Sequence, residues 1–234
     1  MKKRVFFIGN NEGLPGVNND YLNYSTFFKS NTDGAWFNSE IISLMQPTLI
    51  ELRKQIEELK KMQLDFIIVV YSGHGGQERE TILEINAKGE TIYESELKNI
   101  ATRQILVYDC CRAVSTIQLS EGYDQRMAKS ASVDSRIREL YETRIMQAIP
   151  QQLCLYACSI GETASDTDDG GLYSKYLLLS ARNVTTEYMS VGQAHQSAKQ
   201  LTTAKRKEQN PEASLIRCMS HQELILSINT ALKK

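Results

Sequence analysis

The chain has 234 residues, a net charge of −1, and 41% hydrophobic against 24% charged residues. That is length enough for one or two domains with a full core. So small a net charge offers no field for drawing in nucleic acid or an acidic membrane surface, and no apolar run is long enough to span a bilayer. Five cysteines, two of them adjacent, do not read as a disulfide framework in a chain of this length and point to a reducing, cytoplasmic setting.

The first ten residues, MKKRVFFIGN, hold too few apolar positions for a signal-peptide core and read as a first strand over Lys3 to Ile8. Asn10 to Asn19 is rich in Gly, Pro and Asn and reads as a loop, followed by a helix over Asp20 to Lys29. Ala35 to Leu44 reads as a second strand, stopped by Pro47. The clearest helix runs from Pro47 to Met62, with Thr48 as cap and Leu49, Leu52, Ile56 and Leu59 at helical spacing. Leu64 to Tyr71 is a β-branched, apolar strand. Thr81 to Ile92 predicts a hairpin turning at Lys88 and Gly89, and Glu94 to Ala101 a short helix. Gln104 to Tyr108 and Gln151 to Cys158 read as buried strands, with helices over Gly171 to Arg182 and Ser190 to Lys207. A last strand over Ser214 to Met219 and a terminal helix over Gln222 to Leu232 complete the series. Between the strands at Gln104 and Gln151, Val114 to Ala148 contains no strand. It carries Arg126, Lys129, Arg136, Arg138 and Arg144 and reads as a surface helix, a linker or an ordinary solvated connection. Alternating strands and helices predict an α/β fold, with a mostly parallel central sheet covered by helices on both faces.

Two segments carry chemistry. Leu64 to Gly76 reads LDFIIVVYSGHGG, and Ile105 to Ala113 reads ILVYDCCRA. Parallel strands ending side by side would put the His74 imidazole and a thiol of Cys110 or Cys111 at one carboxyl edge, where sites form in open α/β sheets. A histidine that deprotonates a cysteine is the minimum for a cysteine nucleophile. The plainer readings are a turn histidine among glycines and two buried, inert thiols.

These residues resemble the caspase, metacaspase and paracaspase family of cysteine peptidases. YSGHGG resembles the family's histidine loop, and DCCRA its nucleophile loop of the form Asp-x-Cys, with Arg112 following the cysteine as in caspases. LPGVNNDY from Leu14, YACSIGETASD from Tyr156 and GGLYSKYLL from Gly170 resemble further family stretches, in the family's order, so the likeness runs to about Leu215. It implies a caspase-like fold with about six strands in one domain over 1–234. Residues 1–113 would be the large-subunit-like part, 114–148 an intersubunit-like linker and 149–234 the small-subunit-like part. His74 stands 37 residues before Cys111, less than the roughly 50 of caspases, which implies a trimmed hairpin between them.

The Asp-x-Cys pattern selects Cys111 as nucleophile, and strand alternation then turns Cys110 into the core. The resemblance gives His74 the role of base and acid, and the N–H groups of Gly75 and Cys111 that of oxyanion donors. The other histidines, His195 and His221, read as surface residues. Caspases hold a substrate aspartate with basic residues. This chain instead has Asp20 and Asp109 where metacaspases and paracaspases have acids, with Asp166 joining them and Glu162 a weaker candidate. Such a set binds a guanidinium or ammonium and implies cleavage after Arg, or Lys. Asp20 could equally be a helix N-cap. Asp166-Thr-Asp-Asp-Gly-Gly fails the EF-hand template, because Leu177 stands where the twelfth-position Glu is needed. No metal or cofactor is expected, with calcium activation left open. Cys154 and Cys158 lack zinc spacing and read as core.

The sequence thus predicts a cysteine endopeptidase acting through a thioester on protein or peptide substrates with a basic residue before the scissile bond. Activation would come from autoprocessing within 114–148 or from a protein activator, with no nucleic acid or membrane partner. The competing reading is a catalytically silent interaction or scaffold module of the same fold.

Overall fold

The structure, a computed structural model, describes residues 1–114 and 134–233. Its centre is a six-stranded sheet of β1 (Lys3–Gly9), β2 (Ile41–Met45), β3 (Leu64–Ser72), β4 (Ala101–Asp109), β5 (Gln151–Tyr156) and β6 (Glu212–Ser214). In space the strands run β6-β5-β4-β3-β1-β2. All neighbours are parallel except the short edge strand β6, which is antiparallel to β5.

The run of apolar residues in each central strand follows from burial on both faces. In β3, Phe66, Ile68 and Val70 enter one core, and Ile67, Val69 and Tyr71 enter the other. In β4 the same division separates Ile105 and Val107 from Leu106 and Tyr108. The first core is closed by α1 (Gly16–Lys29), α3 (Ser135–Gln147), α4 (Leu172–Arg182) and α5 (Val191–Lys205), through residues such as Phe27, Ile145, Leu177 and Ala194. The second is closed by α2 (Leu49–Lys61), whose Leu52, Ile56 and Leu59 are buried. Leu83 and Ile92 join it from a small antiparallel sheet of Gly75–Gln77, Thr81–Glu84 and Thr91–Tyr93. This sheet is the expected hairpin with one more strand, and it fills the short His74-to-Cys111 interval. Thr48 starts α2 through a reciprocal capping box with Glu51, as expected, while Pro47 lies just ahead of the cap.

Several elements differ from expectation. Helix α1 begins at Gly16 rather than Asp20, because the Asp166 carboxylate accepts the Gly16 N–H at 3.0 Å and so terminates the helix from outside. The second strand is confined to Ile41–Met45: Ala35 adopts φ 48°, Asn38–Glu40 forms a 3-10 turn, and Trp36 is buried among Phe28, Phe66 and Tyr141. Glu94–Leu97 is a 3-10 turn, and the edge strand ends at Ser214 instead of continuing to Met219. In place of a terminal helix, Ile225–Ile228 forms a strand against Tyr188–Ser190. The short apolar run there has no period that separates strand from buried helix.

The segment 114–148 is more than a solvated connection. Residues 115–133, including Arg126 and Lys129, lie outside the described residues. Helix α3 is capped by Asp134 and buries Tyr141 and Ile145 completely. Among the described residues no helix is long and apolar enough to cross a membrane. Replacing Ile145 by Ala should therefore cost about 2–5 kcal/mol, as for other core truncations, measured by urea unfolding. A loss near zero would remove α3 from the core.

Candidate active site

β3 and β4 pair in parallel with Ser72 opposite Asp109, so both chains leave the sheet at the same carboxyl edge. The ladder continues one step further, where the Gly73 N–H donates to the Asp109 carbonyl at 3.1 Å. His74 follows in the loop after β3, and Cys110 and Cys111 follow β4. The Tyr71 hydroxyl donates to the His74 carbonyl, which also accepts the Glu84 N–H at 3.1 Å. The histidine loop is thereby tied to the small antiparallel sheet.

Alternation along β4 fixes which thiol faces outward. Cys110 is buried with the second core, its Sγ lying against Gly75, while Cys111 is half-buried at the sheet edge. A narrow cavity there is lined by Cys111, His74, Asp20, Asp109 and Asp166, together with Ser72, Ala164 and Gly171. A larger cavity beside α3, lined by Leu140, Arg144, Tyr188 and Ile228, contains none of these groups.

The imidazole is fixed from one side. His74 Nε2 lies 2.6 Å from the Glu12 carbonyl oxygen. A carbonyl only accepts, so Nε2 donates here, and in the neutral ring the lone pair is that of Nδ1. The Cys111 thiol donates to the Ala164 carbonyl at 3.7 Å. Burial pushes this thiol up from its ordinary value, an effect to which the nearby Asp109 charge adds. At neutral pH Cys111 is therefore a neutral thiol, not a preformed thiolate.

The three acids are held by different elements. Asp20, in the second turn of α1, accepts the Ser72 hydroxyl at 2.6 Å and the Gly171 N–H at 2.9 Å. Asp109 ends β4 and accepts the Ser174 N–H of α4 at 3.0 Å. Asp166 accepts the Gly16 N–H. Burial raises all three carboxyls. Asp20 is driven well above the usual range, with the neighbouring Asp109 charge as the next cause, and Asp109 is pushed up to about 6.

Two sequence readings need correction, the cap role of Asp20 and the exposure of His195, and the weaker acidic candidate Glu162 has another role. Asp20 does not cap its helix: α1 starts one turn earlier, and the carboxylate reaches across to Ser72 and Gly171 instead. Glu162 stands outside the acidic cluster and serves as a latch, accepting the Asn210 N–H and side-chain amide at 2.7 Å each and the Ser159 N–H at 3.1 Å. His195 is buried rather than on the surface. Its Nδ1 meets the Tyr173 hydroxyl at 2.8 Å, and burial lowers its pKa to about 4. Two partners were missed. Ser72 could have been found from parity, since 66, 68, 70 and 72 share a face of β3. The Glu12 carbonyl could not, because any residue supplies one. Arg112 is almost buried, lying over the Tyr156 ring at 4.1 Å and donating to Glu212 at 2.8 Å and to the Cys158 carbonyl at 3.3 Å. It ties the end of the nucleophile loop to β5 and β6.

A family model described as a caspase domain matches residues 2–219. Among solved structures, the chain is similar to protein GSU0716 from Geobacter sulfurreducens, with a TM-score of 0.63 and 16% identity over 98% of both chains. It is also similar to caspase-1 from Spodoptera frugiperda, with a TM-score of 0.65 and 13% identity over 98% of this chain and 91% of the other. At such identities these two neighbours establish the fold alone. No curated protein sequence matches the chain.

A half-buried, neutral thiol makes a simple prediction. Alkylation of Cys111 by iodoacetamide in the substrate-free protein should keep rising with pH beyond about 8.5, the value of an ordinary thiol. A rate that levels off below pH 7 would reveal a preformed thiolate.

Proposed function

The chain belongs to the caspase domain family of cysteine peptidases, and on that basis we propose that it is an endopeptidase cleaving proteins after arginine, with lysine as second choice. The observation that carries this reading is the convergence of Cys111, His74 and three carboxylates on one narrow cavity. A silent interaction module would need neither a thiol near an imidazole nor buried acids that oppose folding.

The reaction follows from the groups at hand. The substrate's basic side chain enters among Asp20, Asp109 and Asp166, which sets its carbonyl carbon near Cys111. His74 Nδ1 takes the thiol proton as Sγ attacks that carbon. The resulting oxyanion is met by the N–H groups of Gly75 and Cys111. As the C–N bond breaks, the imidazolium returns the proton to the leaving amine and a thioester remains. Water, deprotonated by the same imidazole, then attacks the thioester, releases the acid and restores the thiol. The Glu12 carbonyl keeps Nε2–H in place throughout, so the ring faces the sulfur with its basic nitrogen. No cofactor is needed for any step. Acceptors approaching from three carboxylates suit the planar guanidinium, with five donors, better than an ammonium with three.

Activation is expected through the protein's own cleavage within 114–148. Arg138 on α3 is paired with Glu40 at 2.7 Å and Glu142 at 2.8 Å, and Arg144 is buried. Neither is offered to a protease, and Arg136, though exposed, is held in the first turn of the same helix with its N–H on the Asp134 carboxylate at 3.0 Å, which leaves Arg126 and Lys129 as sites. Mass spectrometry of active protein after long incubation should find new termini after one of these two. An uncut chain, or a cut inside α3, would contradict this.

Fluorogenic peptides with Arg, Lys or Asp before the reporter, assayed with and without calcium, test the central proposal. Arg should be preferred to Asp by on the order of 10³-fold or more, and Cys111→Ala should abolish turnover. A preference for Asp would overturn the acidic-pocket reading. The pH dependence has a definite sign. Asp109, pushed up to about 6, must be ionised to attract a cation, so KM for the Arg peptide should fall as pH rises from 5 to 7. A KM flat across that window would exclude Asp109 from substrate binding.

A further inference from the structure

Helix α4 has glycine, Gly171, at its N-cap and makes no side-chain cap of its own. Ser, Thr, Asp or Asn is the usual residue there, its oxygen accepting the N–H two or three positions into the helix. In this protein that hydrogen bond exists, but the acceptor comes from the sheet: Asp109 takes the N–H of Ser174, the third residue of α4, at 3.0 Å. The backbone of Gly171, φ −58° and ψ 133°, is open to any residue. Space is what forbids a side chain, because a Cβ on Gly171 would lie 2.3 Å from Asp109 Oδ2. The preceding Gly170 repeats the pattern. Its φ is +110°, and a Cβ there would lie 2.4 Å from Asp20 Oδ1.

We infer that Asp109 serves as the N-cap of α4 in place of a side chain at 171, and that the two bare glycines are specificity-determining positions that admit the Asp109 and Asp20 carboxylates to the pocket. The second half rests on the reading that this pocket takes a cationic side chain. The helix terminus supplies N–H groups to both acids: Gly171 N–H to Asp20 and Ser174 N–H to Asp109. Partial positive charge at a helix start favours such anions. The helix therefore holds two acids together at the sheet edge, and the acids complete the helix. A side chain at 171 would end the arrangement by supplying its own cap and expelling Asp109.

The test is a double-mutant cycle on the full chain: wild type, Asp109→Ala, Gly171→Ser, and the pair together. Gly171→Ser should lower Tm where Asp109 is present, through collision. It should raise Tm by about 2–4 °C where Asp109 is absent, because the serine then caps Ser174. A shift of the same sign in both backgrounds would overturn the capping inference. In parallel, Gly171→Ser should raise KM for an Arg peptide by about tenfold or more, while kcat changes by far less. An unchanged KM would overturn the specificity role. If wild type ignores Arg peptides altogether, that role falls with the reading it rests on, and the Tm cycle still decides the capping.

Discussion

Two buried carboxylates, Asp20 and Asp109, sit side by side at the carboxyl edge of the central sheet, and much of the surrounding structure exists to hold them there. Isolated charges in such a place are expensive. Here each is met by donors that belong to rigid elements: the Ser72 hydroxyl at the end of β3 and N–H groups at the start of α4. Main-chain donors cannot swing away, so the acids keep their positions with no cation present. The cost is still visible in their raised proton affinity. A carboxyl that binds its proton more tightly folded than unfolded opposes folding as pH rises from the ordinary carboxylate range through about 6. The pocket thus carries a cost in stability, which the guanidinium of the proposed substrate would relieve.

The nucleophile follows a similar logic. Cys111 is half-buried, and burial keeps it protonated. A resting thiol of this kind is poorly reactive toward adventitious electrophiles. In the proposed reaction it becomes a nucleophile when a substrate places its carbonyl within reach and His74 Nδ1 accepts the proton. The imidazole needs no carboxylate partner for this, because the Glu12 main chain already fixes which nitrogen is basic.

Parts of this organisation were legible in the amino-acid order. β3 and β4 announce themselves through runs in which every residue is apolar or β-branched, since both faces of a central parallel strand are covered. α2 announces itself through Thr48, Glu51 and the 3.6-residue spacing of Leu52, Ile56 and Leu59. The turn from strand into small, reactive residues identified His74 and the Cys110-Cys111 pair. Elsewhere local signals misled. The start of α1 depends on Asp166, 150 residues away. The course of residues 35–40 depends on a Trp36 side chain that must reach the core. His195 looked polar and exposed because a hydroxyl partner, Tyr173, lies on another helix.

The family resemblance pointed to the candidate acids, while sequence alone determined the alternating α/β order and the two strands that bear the reactive residues. These depend on hydrophobic period and residue chemistry, which are local properties. Tertiary structure decided which groups meet. It joined Asp20 to Ser72 and Gly171, set Asp109 on Ser174, turned Cys110 inward against Gly75 and gave His74 a main-chain acceptor. Each of these contacts closes a long loop of chain, and apart from the Ser72 hydroxyl its partner is a backbone group or a glycine's missing side chain. No residue-by-residue pattern encodes such partners, because what selects them is the space left when the helices pack onto the sheet.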